Sequence, residues 1–248
     1  MRQRVYKYLF VRRQRAMWFI VRKERIMSSV IPVLEVFGPT IQGEGAVIGQ
    51  KTMFVRTGGC DYRCSWCDSA FTWDGTGKSE ALTAEEIIER LDTLAPASYG
   101  HVTISGGNPL LHKGIGQLVN LLQARGIQTA VETQGTFWQD WLKQIDAVTI
   151  SPKPPSSGMK TNWETLNKCL TQLDTRQVSL KVVVFNKTDY RFAKEVHHRF
   201  PAYEFYLQVG NEDPTTADQQ KLMQDLLQQY EQLIDWTMND KEMNRVRV

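Results

Sequence analysis

Residues Gly59–Phe71 read GCDYRCSWCDSAF, and the spacing of Cys60, Cys64 and Cys67 decides what this chain is built to hold. A C-x3-C-x2-C loop is too short to keep three thiols apart. Thiolates are soft ligands that suit zinc and iron–sulfur clusters. A structural zinc site is closed by four ligands, and no fourth Cys or His lies nearby in sequence. A disulfide would use two of the thiols and leave the third odd. A 4Fe–4S cluster has four irons, so three cysteines hold it and leave one iron without a protein ligand. That open iron can chelate the amino and carboxylate groups of S-adenosylmethionine.

Working outward from the loop, KTMFVRTGG reads as a strand that runs straight into the cysteines. Before it, VIPVLEVF reads as another strand and GPTIQGEGAVIGQ as a glycine-rich loop. After it, Thr83 with Glu86 makes a capping box, and Ile87, Ile88, Leu91 and Leu94 form one apolar helical face. Strands and helices then alternate. HVTISGG is followed by a helix with Leu118, Leu121 and Leu122 that stops at Gly126, and IQTAVET by a short helix over 138–144. AVTISPK precedes the helix of Trp163, Leu166, Leu170 and Leu173. VSLKVVVF precedes a helix capped by Thr188, and EFYLQVG precedes a last helix over roughly 215–235. Apolar strands joined by helices mean a parallel sheet covered on both faces. Six such strands are too few for a closed eight-stranded barrel, so the fold class is α/β, a partial and open parallel β/α barrel. In such folds chemistry collects at the C-terminal ends of the strands. There the sequence places Arg56, Ser105-Gly106-Gly107-Asn108, Glu132-Thr133, Ser151-Pro152-Lys153 and Gln208-Val209-Gly210-Asn211.

Charge is unevenly spread along the 248 residues. Residues 1–29 carry nine Lys or Arg against one Glu, while residues 30–248 carry a net −5. The first stretch is expected to be a poorly ordered basic extension or to precede the true start at Met27. Residues 30–248 are expected to form one domain. Its acidic body makes no electrostatic case for nucleic-acid binding, and no apolar run approaches the ~20 residues that span a bilayer. Clustered free cysteines indicate a reducing, cytoplasmic setting.

The three-cysteine loop, with aromatic Trp66 before its last cysteine, is the signature of the radical S-adenosylmethionine superfamily. Within it, IQGEG (41–45) before the loop and SPK (151–153) after it resemble the 7-carboxy-7-deazaguanine synthases. The TISGGNP, ETQGT and SPKPPSS segments make the chain similar to the branch found in bacilli, from about Pro32 to Val248. The resemblance implies conversion of 6-carboxy-5,6,7,8-tetrahydropterin to 7-carboxy-7-deazaguanine with loss of ammonia, on the route to queuosine. It implies a 4Fe–4S cluster, S-adenosylmethionine and Mg²⁺ as cofactors. An electron donor such as flavodoxin or ferredoxin and a homodimeric assembly go with them.

Position by position, the resemblance implies that Cys60, Cys64 and Cys67 ligate the cluster and that Ser69 helps hold Mg²⁺. It gives Trp66, Cys67, Asp68, Gly107, Ser151, Pro152, Lys153, Gln208, Val209, Gly210 and Asn211 to S-adenosylmethionine. Substrate falls to Ile41, Gln42, Gly43, Glu44, Arg56 and Ser105, with Arg56 facing the carboxylate. No side chain is assigned as a catalytic acid or base. For Arg56 the plain alternative is a surface ion pair.

Two departures from the family stand out. Asn108 occupies a place where many radical enzymes carry Glu, and it brings no negative charge for an ammonium group. Family members continue past the equivalent of Val248 with a closing strand that bears a His and a chain end that enters the substrate pocket. The expectation is therefore either a truncated sequence or a pocket completed in another way. Cys169 reads as core, His197-His198 as satisfied or solvated, and Trp138 and Trp141 as packing or part of a dimer face. Two rival functions stay open at this point: an activase acting on a partner protein, or a non-catalytic cluster- or zinc-binding module.

Overall fold

The computed structural model describes residues 29–213 and 216–248, so the reading of the basic leader lies outside the described residues apart from Ser29. The chain runs β1 (Ile31–Ile41), β2 (Lys51–Thr57), β3 (Glu80–Leu82), α1 (Ala84–Leu94), β4 (His101–Gly106) and α2 (Ile115–Ala124). It continues through β5 (Gln128–Thr133), β6 (Ala147–Ile150), α3 (Trp163–Thr171), β7 (Val178–Val184) and α4 (Lys187–Arg199). β8 (Glu204–Val209), α5 (Gln219–Met238) and β9 (Val246–Arg247) complete it. These strands form one open sheet in the order β3-β1-β2-β4-β5-β6-β7-β8-β9.

The six strands expected from sequence are β2, β4, β5, β6, β7 and β8, and they are parallel neighbours throughout. β1 joins them antiparallel to β2, and β3 pairs antiparallel with β1. Two short strands escaped the sequence reading, β3 and β9, because three and two residues carry no periodicity to read. β1 also runs further than expected: GPTI belongs to the strand, which crosses register shifts to reach Ile41.

Why the strands sit centrally follows from their composition. β4 buries His101–Ile104 and β7 buries all but one of its residues, so both faces are covered, as a parallel sheet requires. Ile104, Val131, Ile150, Leu180 and Val182 are wholly sequestered. α1 begins at the capping box: the Thr83 amide reaches the Glu86 carboxylate at 2.7 Å and the Glu86 amide reaches the Thr83 hydroxyl at 3.2 Å. It buries Ala84, Ile87, Ile88 and Leu91, whereas Leu94, expected on that face, is exposed. α4 is capped by Asn186, whose side chain accepts from the Thr188 and Asp189 amides, so Thr188 lies inside the helix it was expected to cap. Between β5 and β6 the expected short helix is a 3-10 turn over Asp140–Gln144. α5 spans Gln219–Met238, later than expected, and no described helix is long and apolar enough to cross a membrane.

Cys169 is fully buried on α3, as expected. Trp141 is buried and Trp138 half-buried. His198 is exposed; His197 is buried with its Nδ1 lacking a hydrogen-bond partner among the described residues, so it is not satisfied there.

Candidate active site

The C-terminal ends of the parallel strands open into one cavity of about 800 Å³. Every site residue expected from sequence lines it except Pro152, which is buried beside it. Ser151 and Lys153 reach the lining from either side of that proline.

The thiol loop is held by its neighbours rather than by itself. Gly107 lies so close to the loop that a Cβ there would stand 2.0 Å from the Gly59 carbonyl oxygen. Gly106 has φ +128°, and a Cβ would meet the Thr57 carbonyl at 2.2 Å. The pair is glycine because two backbones touch. The Asn108 amide donates to the Gly59 carbonyl at 2.8 Å, which fastens the seam. From the other side, the segment after β6 braces the loop. The Ser65 hydroxyl donates to the Ser156 carbonyl at 2.7 Å, the Trp66 indole to the Ser156 hydroxyl at 2.9 Å, and the Tyr62 hydroxyl to the Lys160 carbonyl at 2.8 Å. Trp66 packs on Phe185 at 5.0 Å between ring centres.

All three thiols are half-buried and free. The Cys60 Sγ accepts from the Tyr62 amide at 3.4 Å, and the Cys67 Sγ from the Trp73 indole at 3.4 Å. Burial pushes the Cys60 thiol above its ordinary pKa and pushes Cys64 up to about 11, so without a metal these groups stay protonated near neutrality. Among the described residues no three His, Cys, Asp or Glu side chains converge on a single ion. A cubane instead takes each thiolate at a different corner, and N–H donors to its sulfurs are the expected outer partners. The donor set fits a cluster. In the same cavity the Gln208 side chain hydrogen-bonds Glu44, while its buried Oε1 has no hydrogen-bond partner among the described residues.

The same cavity is also lined by charges. Lys181 reaches across the sheet to Glu44 at 2.7 Å, and the Gln42 amide donates to Glu132 at 2.8 Å. Burial raises the Glu44 carboxyl, but the charge and hydrogen bond of Lys181 outweigh it and hold the group below its ordinary value. Burial raises Glu132, and nearby cations do not fully offset it. Burial alone would lower Lys181, yet Glu132 and Glu44 keep it raised, whereas burial beside the thiols lowers Lys153. Sequence reasoning assigned no role to Glu132 or Lys181. Glu132 lies at the end of β5 and Lys181 in the middle of β7, and only the folded sheet brings them beside Glu44.

Arg56 both lines the cavity and makes an ion pair. It lines the cavity between the Phe37 and Phe71 rings, at 5.5 and 5.4 Å, and its Nε lies 2.6 Å from the Glu35 carboxylate as an ion pair. Its Nη1 donates to the Ser69 hydroxyl at 3.0 Å, which in turn donates to Asp68 at 3.1 Å. Ser105 stands beside Arg56 in the β2–β4 register. Asn108 lies outside the lining and is wholly buried.

A second cavity of about 490 Å³ lies on the surface along α4. Lys194 there is paired with Asp240 and Glu242, and Arg199 with Glu195, while Arg191 donates to the Thr188 hydroxyl at 3.0 Å.

Residues 54–153 match the Radical SAM superfamily. The chain is 58% identical over 228 residues to the 7-carboxy-7-deazaguanine synthase of Bacillus subtilis, covering 90% of this chain and 94% of that one. It is 55% identical over 222 residues to the Bacillus cereus enzyme of the same name, covering 89% and 93%. The chain belongs to the 7-carboxy-7-deazaguanine synthase family. A crystal structure of QueE from Escherichia coli, 22% identical, superposes with a TM-score of 0.61 over 87% of this chain and 96% of that one, which shows the shared fold. As a radical S-adenosylmethionine enzyme of this family, the chain uses a 4Fe–4S cluster and S-adenosylmethionine.

Proposed function

We propose that this 7-carboxy-7-deazaguanine synthase family member converts 6-carboxy-5,6,7,8-tetrahydropterin to 7-carboxy-7-deazaguanine with release of ammonia. The observation that carries the reading is the cavity lined together by the three thiols, Arg56 and the Gln42–Glu44 segment. When bound, the cluster and S-adenosylmethionine supply the abstraction and return of one hydrogen atom. The chain's own residues position the reactants and exclude water.

Cys60, Cys64 and Cys67 ligate the cluster. Trp66, Asp68 and Gly107, with Ser151–Lys153 and Gln208–Asn211, hold S-adenosylmethionine; the unpaired Gln208 oxygen and the glycine approach at Gly107 support this. A guanidinium has five N–H donors. Glu35 and Ser69 each engage one nitrogen of Arg56, and the remaining N–H groups face the substrate carboxylate. The Ser69 hydroxyl is a hard oxygen suited to Mg²⁺ bridging to substrate. Ile41, Gln42, Gly43, Glu44 and Ser105 complete the pterin side. Glu132 and Lys181 fix the poses of Gln42 and Glu44. A flavodoxin- or ferredoxin-type electron donor, a homodimeric assembly and a cytoplasmic location complete the proposal, the last supported by free clustered thiols.

The test is turnover. Reduced enzyme with catalytic S-adenosylmethionine is expected to convert 6-carboxytetrahydropterin over many cycles, faster with added Mg²⁺. Arg56→Ala is expected to lower kcat/KM about 10²-fold, ~3 kcal/mol for one charge-assisted contact. Cofactor cleavage without pterin conversion would overturn the substrate assignment and favour an activase.

A further inference from the structure

Behind Cys60 lies a buried polar relay to which the proposed roles above give no part. Gln134, in the turn after β5, is 7% exposed, and its Nε2 lies 3.4 Å from the Cys60 Sγ and 2.7 Å from the Asp61 Oδ1. A primary amide nitrogen carries two hydrogens, so one group serves both contacts. The same Asp61 oxygen accepts from the Asn108 Nδ2 at 2.7 Å. Asn108 is fully buried; its Nδ2 also reaches the Thr136 hydroxyl at 2.9 Å, and its Oδ1 accepts from the Leu110 amide at 3.2 Å and the Thr133 hydroxyl at 2.9 Å. Both donors and both acceptor sites of Asn108 are therefore used. The Asp61 carboxylate also decides which end of each amide faces it, because an amide oxygen turned toward it would be repelled.

We propose that Gln134 is a positioning residue for the cluster, donating an N–H···S bond to the Cys60 thiolate while Asp61 and Asn108 lock its pose. The inference rests on the cluster reading of the thiol loop. A donor to a ligating sulfur stabilises the more negative, reduced cluster more than the oxidised one, so it raises the reduction potential. A side chain that merely fills space beside Asp61 would not move that potential.

The test uses the full chain, reconstituted anaerobically with iron and sulfide and titrated potentiometrically with the reduced cluster followed by electron paramagnetic resonance. Gln134→Met keeps the length and loses the donor. It is expected to load as much iron as wild type while the oxidised–reduced equilibrium shifts about tenfold toward the oxidised cluster, a fall of ~59 mV. An unchanged midpoint in fully loaded Gln134→Met overturns the proposal. If that variant does not load, wild-type enzyme labelled with ¹⁵N in glutamine side-chain amides decides: a ¹⁵N hyperfine coupling to the reduced cluster supports the bond, and its absence overturns it. Wild-type protein that takes up no iron and sulfide sinks the cluster reading and this proposal with it, whereas a full cluster with an unmoved potential sinks only the role of Gln134.

Discussion

On the thiol side of the cavity the walls meet backbone to backbone, whereas on the Gln42–Glu44 side they meet charge to charge. The first wall exists because Gly106 and Gly107 lack side chains and let β4 touch the segment from Thr57 to Gly59. The second exists because Lys181 and Glu132 reach partners 137 and 90 residues away in sequence. Touching backbones are rigid and admit few residue types. Ion pairs across a cavity tolerate more change in shape, and they tie the pocket to pH.

The thiol wall is broken most completely at its ligands. Cys64→Ala is expected to take iron from about four per chain to near zero after anaerobic reconstitution. Cys169→Ala, whose thiol lies buried on α3, is expected to leave iron content intact. Iron and sulfide analysis reads both, and stoichiometric zinc with no iron uptake in wild type would count against the cluster.

The glycine seam comes next. Gly106→Ala adds a Cβ at 2.2 Å from a carbonyl in a left-handed backbone region. Strain and overpacking together are expected to cost about 3–4 kcal/mol in denaturant unfolding. A loss below about 1 kcal/mol would show that the two walls are equally forgiving.

The smallest of the three effects is on the charged wall. Lys181→Met leaves Glu44 and Glu132 without their shared cation and is expected to cost about 2–3 kcal/mol at neutral pH, less than a fully buried pair because Glu44 is partly exposed and Glu132 can protonate. The pH dependence follows from the shifts. Glu44 is lowered from 4.5, so its contribution is complete above that value and is lost as pH falls through the folded one. Lys181 is raised from 10.5, so its contribution is complete below that value and is lost as pH rises through the folded one. The stability gap between wild type and variant is therefore expected to narrow at high pH as Lys181 loses its proton, and in acid as Glu132, raised by burial, and then Glu44 gain theirs. A gap that grows in acid would contradict the pairing.

The same contrast explains what sequence could show. Cys60, Cys64, Cys67 and the Gly106-Gly107 pair are local patterns whose chemistry admits few substitutes, and the six parallel strands carry continuous apolar runs. Lys181 gave no such signal, because a lysine in a valine-rich strand looks like any polar interruption until the sheet sets it beside Glu44. Asn108 was read against an acidic residue facing a ligand, yet its side chain turns inward to Asp61, Thr133 and Thr136. Helix starts were legible where one cap dominated, as at Thr83. They were missed where two candidates competed, as with Asn186 and Thr188.

The sheet order also bears on how copies of this enzyme meet one another. Its outermost strands are β3, three residues long, and β9, two residues long, with the Arg247 guanidinium 3.1 Å from Glu204 at the second edge. A long bare edge is a template on which another chain can add strands and grow into an aggregate. The second edge is short and charged, but β3 covers only Ile31–Val33 of β1, so the outer side of β1 from Leu34 to Ile41 has no strand partner among the described residues. The outer side of β1 is therefore the stretch of edge from which such growth would start.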